Sequence, residues 1–328
     1  MRRRDFLALS GTAACTLLPA MWRDTAAAAT PARVGFVSGG DKAGAADFVA
    51  ALRDGLASFG YVEGAGLELG LVYADYQLNR VPALVADLER SGVAVIVTHA
   101  AATSIVVESQ RRVPVVYEFS ADPVATGIAK DLAHPLYSAT GVSLMAVELN
   151  TKRLELLRLI SPDARQVAVV ANPLHPGVEK ERGYSETAAQ QLGFDTSFFP
   201  TPDRKELDRA LAAIDANRPD AMLVLSDGFV VENRSLIINF AMSRRLPVMS
   251  GWAVMANSGA LCTYGPRLVE SYRRTAYFVD RILKGAQPAD LPIEQPTVFE
   301  LVVNLNSART LGITVPQSVL VRADRVID

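Results

Sequence analysis

Cysteine is almost absent. The chain has two, Cys15 and Cys262. Cys15 falls in an N-terminal segment expected to be removed, and Thr12-Ala13-Ala14 ahead of it lack the leucine of a lipoprotein site, so it reads as unmodified. Cys262 alone then forms no intramolecular disulfide, and the fold must rest on its core. Histidine is equally scarce. His99, His134 and His175 stand far apart and in no metal-ligand spacing, so no metal is expected. There is no G-x-S-x-G elbow and no G-x-x-x-x-G-K-[ST] phosphate loop, and "GAGLELG" at 64–70 precedes a strand, so it reads as a turn. Runs of one charge are missing as well: the formal net charge is -2, with no Lys/Arg-rich block in the body. Nucleic acid and anionic membranes are therefore poor partners. These absences leave no catalytic residue and no cofactor to name. An exported α/β enzyme such as a hydrolase stays as the second reading.

What is present starts with "MRRRDFLALSGTAACTLLPAMWRDTAAAATPA". An arginine cluster, a short apolar segment and an alanine-rich end with A-x-A sites make an export signal. Arg3-Arg4-Asp5-Phe6-Leu7 resembles the twin-arginine signal, and cleavage is expected near Ala29, leaving a periplasmic protein; a disordered basic tail is the alternative. The apolar segment is too short for a stable membrane span. Trp22 would leave with it, making Trp252 the sole tryptophan.

From 33 onward, apolar strand-like runs alternate with helical periodicity. "RVGFVSGG" (33–40) is followed by Phe48, Val49, Leu52, Leu56 and Phe59 at helical spacing. Strands at 67–75, 93–99 and 113–119 alternate with helices at 79–91, from about 102 and at 123–132, ahead of "TGVSL". A second series has helices at 147–160, 178–192, 204–216 and 229–244, and strands at 165–172, 194–201, 221–227 and 246–252. This α/β alternation predicts two doubly wound parallel-sheet lobes. Ligands of such sheets sit outside the carboxyl ends of the strands.

Small and hydroxylic residues recur at those ends: Ser38-Gly39-Gly40, Ala100-Ala101, Ser120-Ala121, Ser143, Asn172, Ser226-Asp227 and Ser250-Gly251-Trp252. They let backbone N–H groups approach a bound carboxylate, although tight βα turns use the same residues for their own sake. Asp122 before Pro123 is an N-cap with proline at N1, or a ligand contact. No Arg or Lys lies at these exits, so a phosphate would lack its clamp. A small organic acid or amino acid, with an apolar or aromatic side group, fits better. Phe119 would offer ring surface unless it packs in the core.

"VPVVYEFSADPVATGIAKDL" with "ATGVSL", "VAVVANP", "AMLVLSD" with "LPVMSG", and "ILKGAQPADLPIEQPTVFELVVNLNSARTLGITVP" together resemble the ABC transporter substrate-binding protein family that includes tryptophan-binding proteins. The resemblance implies a type I-like periplasmic binding protein of two lobes joined by a three-segment hinge. It also implies a monomer that hands a small solute to a membrane permease. Lobe 1 would comprise 30–145 and 253–290, lobe 2 would comprise 146–252 and 291–328, and 1–29 would be the signal. By the family pattern, ligand contacts fall at Ser38, Gly39, Ala100, Ala101, Ser120, Ser143, Asn172, Asp227, Trp252 and Tyr264. Where the family has Thr-Pro, this chain has Ala101-Ala102, which removes a hydroxyl. Asp227 would meet a ligand amine or cap the following helix.

Overall fold

Strands buried on both faces need near-continuous apolar runs, and Val95–His99, Val115–Phe119, Ala139–Ser143 and Ala221–Val224 are buried at every position. In the computed structural model, which describes residues 31–109, 112–144 and 149–328, these runs form the centres of two sheets. The export-signal expectation for 1–29 lies outside the described residues.

The first sheet has six parallel strands in the order Val62–Glu63, Gly66–Tyr73, Ala32–Ser38, Val95–His99, Val115–Phe119 and Ala139–Ser143. The second has seven, in the order Asp195–Pro200, Gln166–Ala171, Ala221–Val224, Val248–Ser250, Cys262–Pro266, Phe299–Asn304 and Arg325–Ile327. Within it only the pairing of Cys262–Pro266 with Phe299–Asn304 is antiparallel. Both sheets are doubly wound, as the alternation predicts.

The chain passes between the sheets three times. The first passage joins strand Ala139–Ser143 of the first sheet to helix Asn150–Ile160, which packs on the second. The second is at Arg267, where Cys262–Pro266 of the second sheet gives way to helix Leu268–Leu283. That helix packs on Ala46–Ser58 and on the first sheet. The third follows Glu294, whose carbonyl accepts from Ser143 N at 2.8 Å and whose N–H donates to Gly141 O at 3.0 Å, before Phe299–Asn304 joins the second sheet. Residues 253–266, expected with the first lobe, thus build the second sheet, and 291–294, expected with the second, line the first. The sequence pattern misplaces both because a strand and a helix separated by one residue carry no mark of which sheet each will meet.

Two other expectations change. No helix spans 123–132. Asp122 Oδ1 accepts from Val124 N at 2.9 Å and Ala125 N at 3.2 Å, so the cap chemistry is there, but Gly127 turns to φ 77° and the chain enters a hairpin, Ala129–Asp131 against His134–Pro135. A residue in the left-handed region ends a right-handed turn. The long helix expected at 229–244 is two, Gly228–Glu232 and Arg234–Ser243, broken at Asn233.

Candidate functional site

The carboxyl ends of both sheets face one cleft, and the first lobe's wall is built on a neutral buried chain. Ser38 Oγ accepts from Gly40 N at 3.1 Å and meets His99 Nε2 at 3.2 Å. His99 Nδ1 is 3.4 Å from the Tyr272 hydroxyl, which is hydrogen-bonded to Glu118. Burial pushes His99 down to about 4 and Glu118 up to about 8, so both are uncharged at neutral pH. Ser38 and His99 have the spacing of a nucleophile and base. Yet Ser38 is fully buried and holds the turn to Gly40, and the second His nitrogen faces a phenol instead of a carboxylate. Their geometry locks a loop.

A cavity at the cleft brings together Gly39, Ala100 and Ala101 from the first lobe with Asn172 and Asp227 from the second. Asn172 Nδ2 donates to Asp227 Oδ1 at 3.2 Å, and the same oxygen accepts Phe229 N at 2.8 Å, capping Gly228–Glu232. Cap and cavity wall are therefore one role. Asp227 is 3% exposed, and its Oδ2 is buried with no hydrogen-bond partner among the described residues. A buried carboxyl oxygen without a hydrogen-bond donor is costly.

Tyr76, His99, Phe229 and Glu232 also line the cavity, and no Lys or Arg does among the described residues. These four were not singled out as contacts from the sequence. Tyr76 had a detectable signal only in the backbone: Asp75 and Tyr76 both adopt positive φ, 51° and 63°, unusual for residues with a side chain. The cavity is small, about 30 Å³.

The other expected contacts lie elsewhere. Ser120 Oγ reaches across the lobes to His175 Nε2 at 2.5 Å, and nearby Asp122 pairs with Lys180 at 3.1 Å. Ser143 is buried beside Glu294. Trp252, 4% exposed, belongs to the apolar core, with its Nε1 unpartnered among the described residues. Tyr264 packs beside Phe299 on the second sheet, ring centroids 6.3 Å apart. Phe119 is fully buried core.

No Arg or Lys lies at the strand exits named from the sequence, but the fold brings one to them from a helix. Arg153, the largest fully buried side chain, comes from helix Asn150–Ile160 to the exits of the second sheet. Its Nε donates to Tyr264 O at 2.9 Å and its NH1 to Asn150 Oδ1 at 2.5 Å, while Asn150 Nδ2 donates to Glu181 Oε1 at 3.0 Å. A Cβ on Gly251 would meet Arg153 NH2 at 2.5 Å, so only glycine fits beneath the guanidinium. Desolvation lowers Arg153 to about 10, and burial raises Glu181. Arg153 stays charged at neutral pH. Its signal in the sequence was an arginine on the same helical face as Leu157 and Ile160.

The sequence pattern of the family described as ABC transporter substrate binding protein matches residues 37–327. A tyrosine-binding protein of Clostridioides difficile is 20% identical over 200 residues; the match covers 61% of this chain and spans only 57% of that relative's length. Among solved structures, the ABC domain in complex with L-Trp from Streptococcus pneumonia has a TM-score of 0.82 at 22% identity, covering 91% of this chain and 100% of that one. A conserved domain protein from Vibrio cholerae also reaches 0.82, at 26% identity, covering 90% and 100%. A ligand-free, open substrate binding protein from Clostridium difficile gives 0.61 at 18% identity, covering 90% and 99%.

Proposed function

Because the chain belongs to the ABC transporter substrate-binding protein family and has the type I-like periplasmic binding fold, we propose that it captures an amino acid with an apolar or aromatic side group and delivers it to a membrane permease. The observation that carries this reading is the unpartnered Oδ2 of Asp227 in a cavity with ring walls and no basic side chain. An α-ammonium group supplies the missing donor. The carboxylate of the same ligand is accommodated at Ala100 and Ala101, where helix Ala102–Ser109 begins and the first N–H groups of a helix favour an anion. Tyr76, Phe229 and His99 then cover the side group. Gly39, Asn172 and Asp227 complete the proposed contacts, with Ser38 supporting from beneath. Ser120, Ser143, Trp252 and Tyr264 act through the fold. The names of the relatives that bind L-Trp or tyrosine agree with an aromatic amino acid.

Calorimetry and thermal shift with L-tryptophan, L-tyrosine and L-leucine, beside phenylpropionate and inorganic phosphate, test the reading. At a hundredfold excess over its Kd, a true ligand adds about 2.7 kcal/mol of stability. Phenylpropionate has the ring and carboxylate but no ammonium. Its binding as tightly as the amino acids, or a response to phosphate alone, would overturn the assignment.

The arginine cluster and A-x-A sites support export by a twin-arginine-like signal, with the mature protein a periplasmic monomer. N-terminal sequencing of periplasmic material is expected to start near Thr30. An intact Met1 chain found only in the cytoplasm would sink that part.

A further inference from the structure

Glu232 does more than line the cavity. It ends helix Gly228–Glu232 of the second lobe and crosses to the loop that precedes Ala46–Ser58 of the first. There it occupies a socket between Gly40 and Gly44. A Cβ on Gly40 would overlap the Glu232 carboxyl, and one on Gly44 would overlap its methylenes. The side of the socket is Tyr76, whose hydroxyl is hydrogen-bonded to Glu232 and whose ring stands edge-on to Phe229, centroids 5.4 Å apart at 89°. The socket itself is tied by backbone bonds from Asp75 N to Gly40 O (3.1 Å) and Tyr76 N to Gly39 O (2.9 Å). These bonds hold two side-chain-bearing residues at positive φ, a conformation that persists only where the surroundings enforce it.

We propose that Glu232 is a positioning residue for lobe closure: its side chain enters the glycine socket of the first lobe and holds the closed form together. The inference rests on the reading of this protein as a receptor whose lobes open and close. It does not depend on which solute binds.

The socket also makes closure pH-dependent. Burial is the main cause that pushes the closed-form Glu232 from its ordinary 4.5 up to about 8. Asp227 on its own helix cap and Asp41 in the socket loop raise it further, while the bond to Tyr76 and the charge of Arg234 on the next helix oppose them. Arg234 is itself engaged by Asp47 of the first lobe at 3.2 Å. Tyr76 is pushed up, so it remains a donor, and His99 across the cavity is neutral. An acid whose pKa is higher in the closed form takes up a proton as the lobes shut. Its support is therefore full below about 4.5, declines about tenfold per pH unit through the window between the two values, and is lost above about 8.

Spin labels at Val124→Cys and Tyr184→Cys, both exposed, one on each lobe, report the distance between lobes in the solute-free protein; the native Cys262 is buried. The closed-to-open ratio is expected to fall by about fiftyfold from pH 6 to pH 8 in the parent. In Glu232→Gln, which keeps shape and polarity without titrating, the ratio should not change with pH. Gly40→Val should shift the distribution to open at every pH, and Gly44→Val provides the same block from the other side. Equal ratios in the parent, Glu232→Gln and both glycine variants across the pH range would overturn the proposal. So would a pH response that persists unchanged in Glu232→Gln. Failure of the solute screen leaves this distance measurement intact, so the two readings fail separately.

Discussion

Arg153→Ala is expected to lower stability by about 3–5 kcal/mol, the usual cost of removing one member of a buried, hydrogen-bonded charged network. Three groups would lose their donor or counter-charge together: the Tyr264 carbonyl, Asn150 Oδ1 and, through Asn150, the buried Glu181. The truncation also leaves space beneath Gly251 and Gly265, where the guanidinium now lies. Tyr264 stands on the last strand before the crossover at Arg267, so the loss should loosen the hinge side of the second lobe as well. Arg153→Lys keeps the charge but not the two-directional geometry, and should fall between. Urea unfolding measures this directly. An unchanged midpoint in Arg153→Ala would show that the network contributes nothing net.

Asp227→Asn carries the second large effect, this time on binding. The substitution keeps an Oδ1 able to cap Gly228–Glu232 and to accept from Asn172, so the fold should persist. What disappears is the negative charge that the proposal assigns to the ligand ammonium. Truncating one partner of a buried, hydrogen-bonded charge pair costs about 2–5 kcal/mol, so Kd for the preferred amino acid should rise at least roughly thirtyfold. Circular dichroism serves as the folding control. Unaltered calorimetric affinity would remove Asp227 from the ligand site and leave it a cap.

Much of the architecture was legible because its signals are local. Five-residue apolar runs, helical spacing from Phe48 to Leu56, and small residues at strand exits each lie within one element, and chain order alone then dictates a doubly wound sheet. Reading failed where a local signal had two outcomes. Asp122-Pro123 starts a helix as readily as it starts the turn that Gly127 ends, and the glycine four residues after the proline decides which. Trp252 at a strand exit suggested the cleft, but a large apolar ring is stabilised more by full burial than by a wet rim, and it turned into the core.

The sequence by itself determined the α/β class, the two lobes, the family resemblance and five of the residues that meet at the cavity. Only the tertiary structure decided which groups act on one another. Arg153 meets Tyr264 across 111 residues of chain, Arg234 meets Asp47 across 187, and Ser120 meets His175 across 55. No periodicity records such meetings. The Arg153–Tyr264 bond comes from a helix packing on its own sheet, and the other two come from the two sheets facing each other, which also covers part of Glu232 and Tyr76. Charge state and hydrogen-bond need follow from that burial, so the chemistry of the site belongs to the two packed lobes together and not to either stretch of sequence.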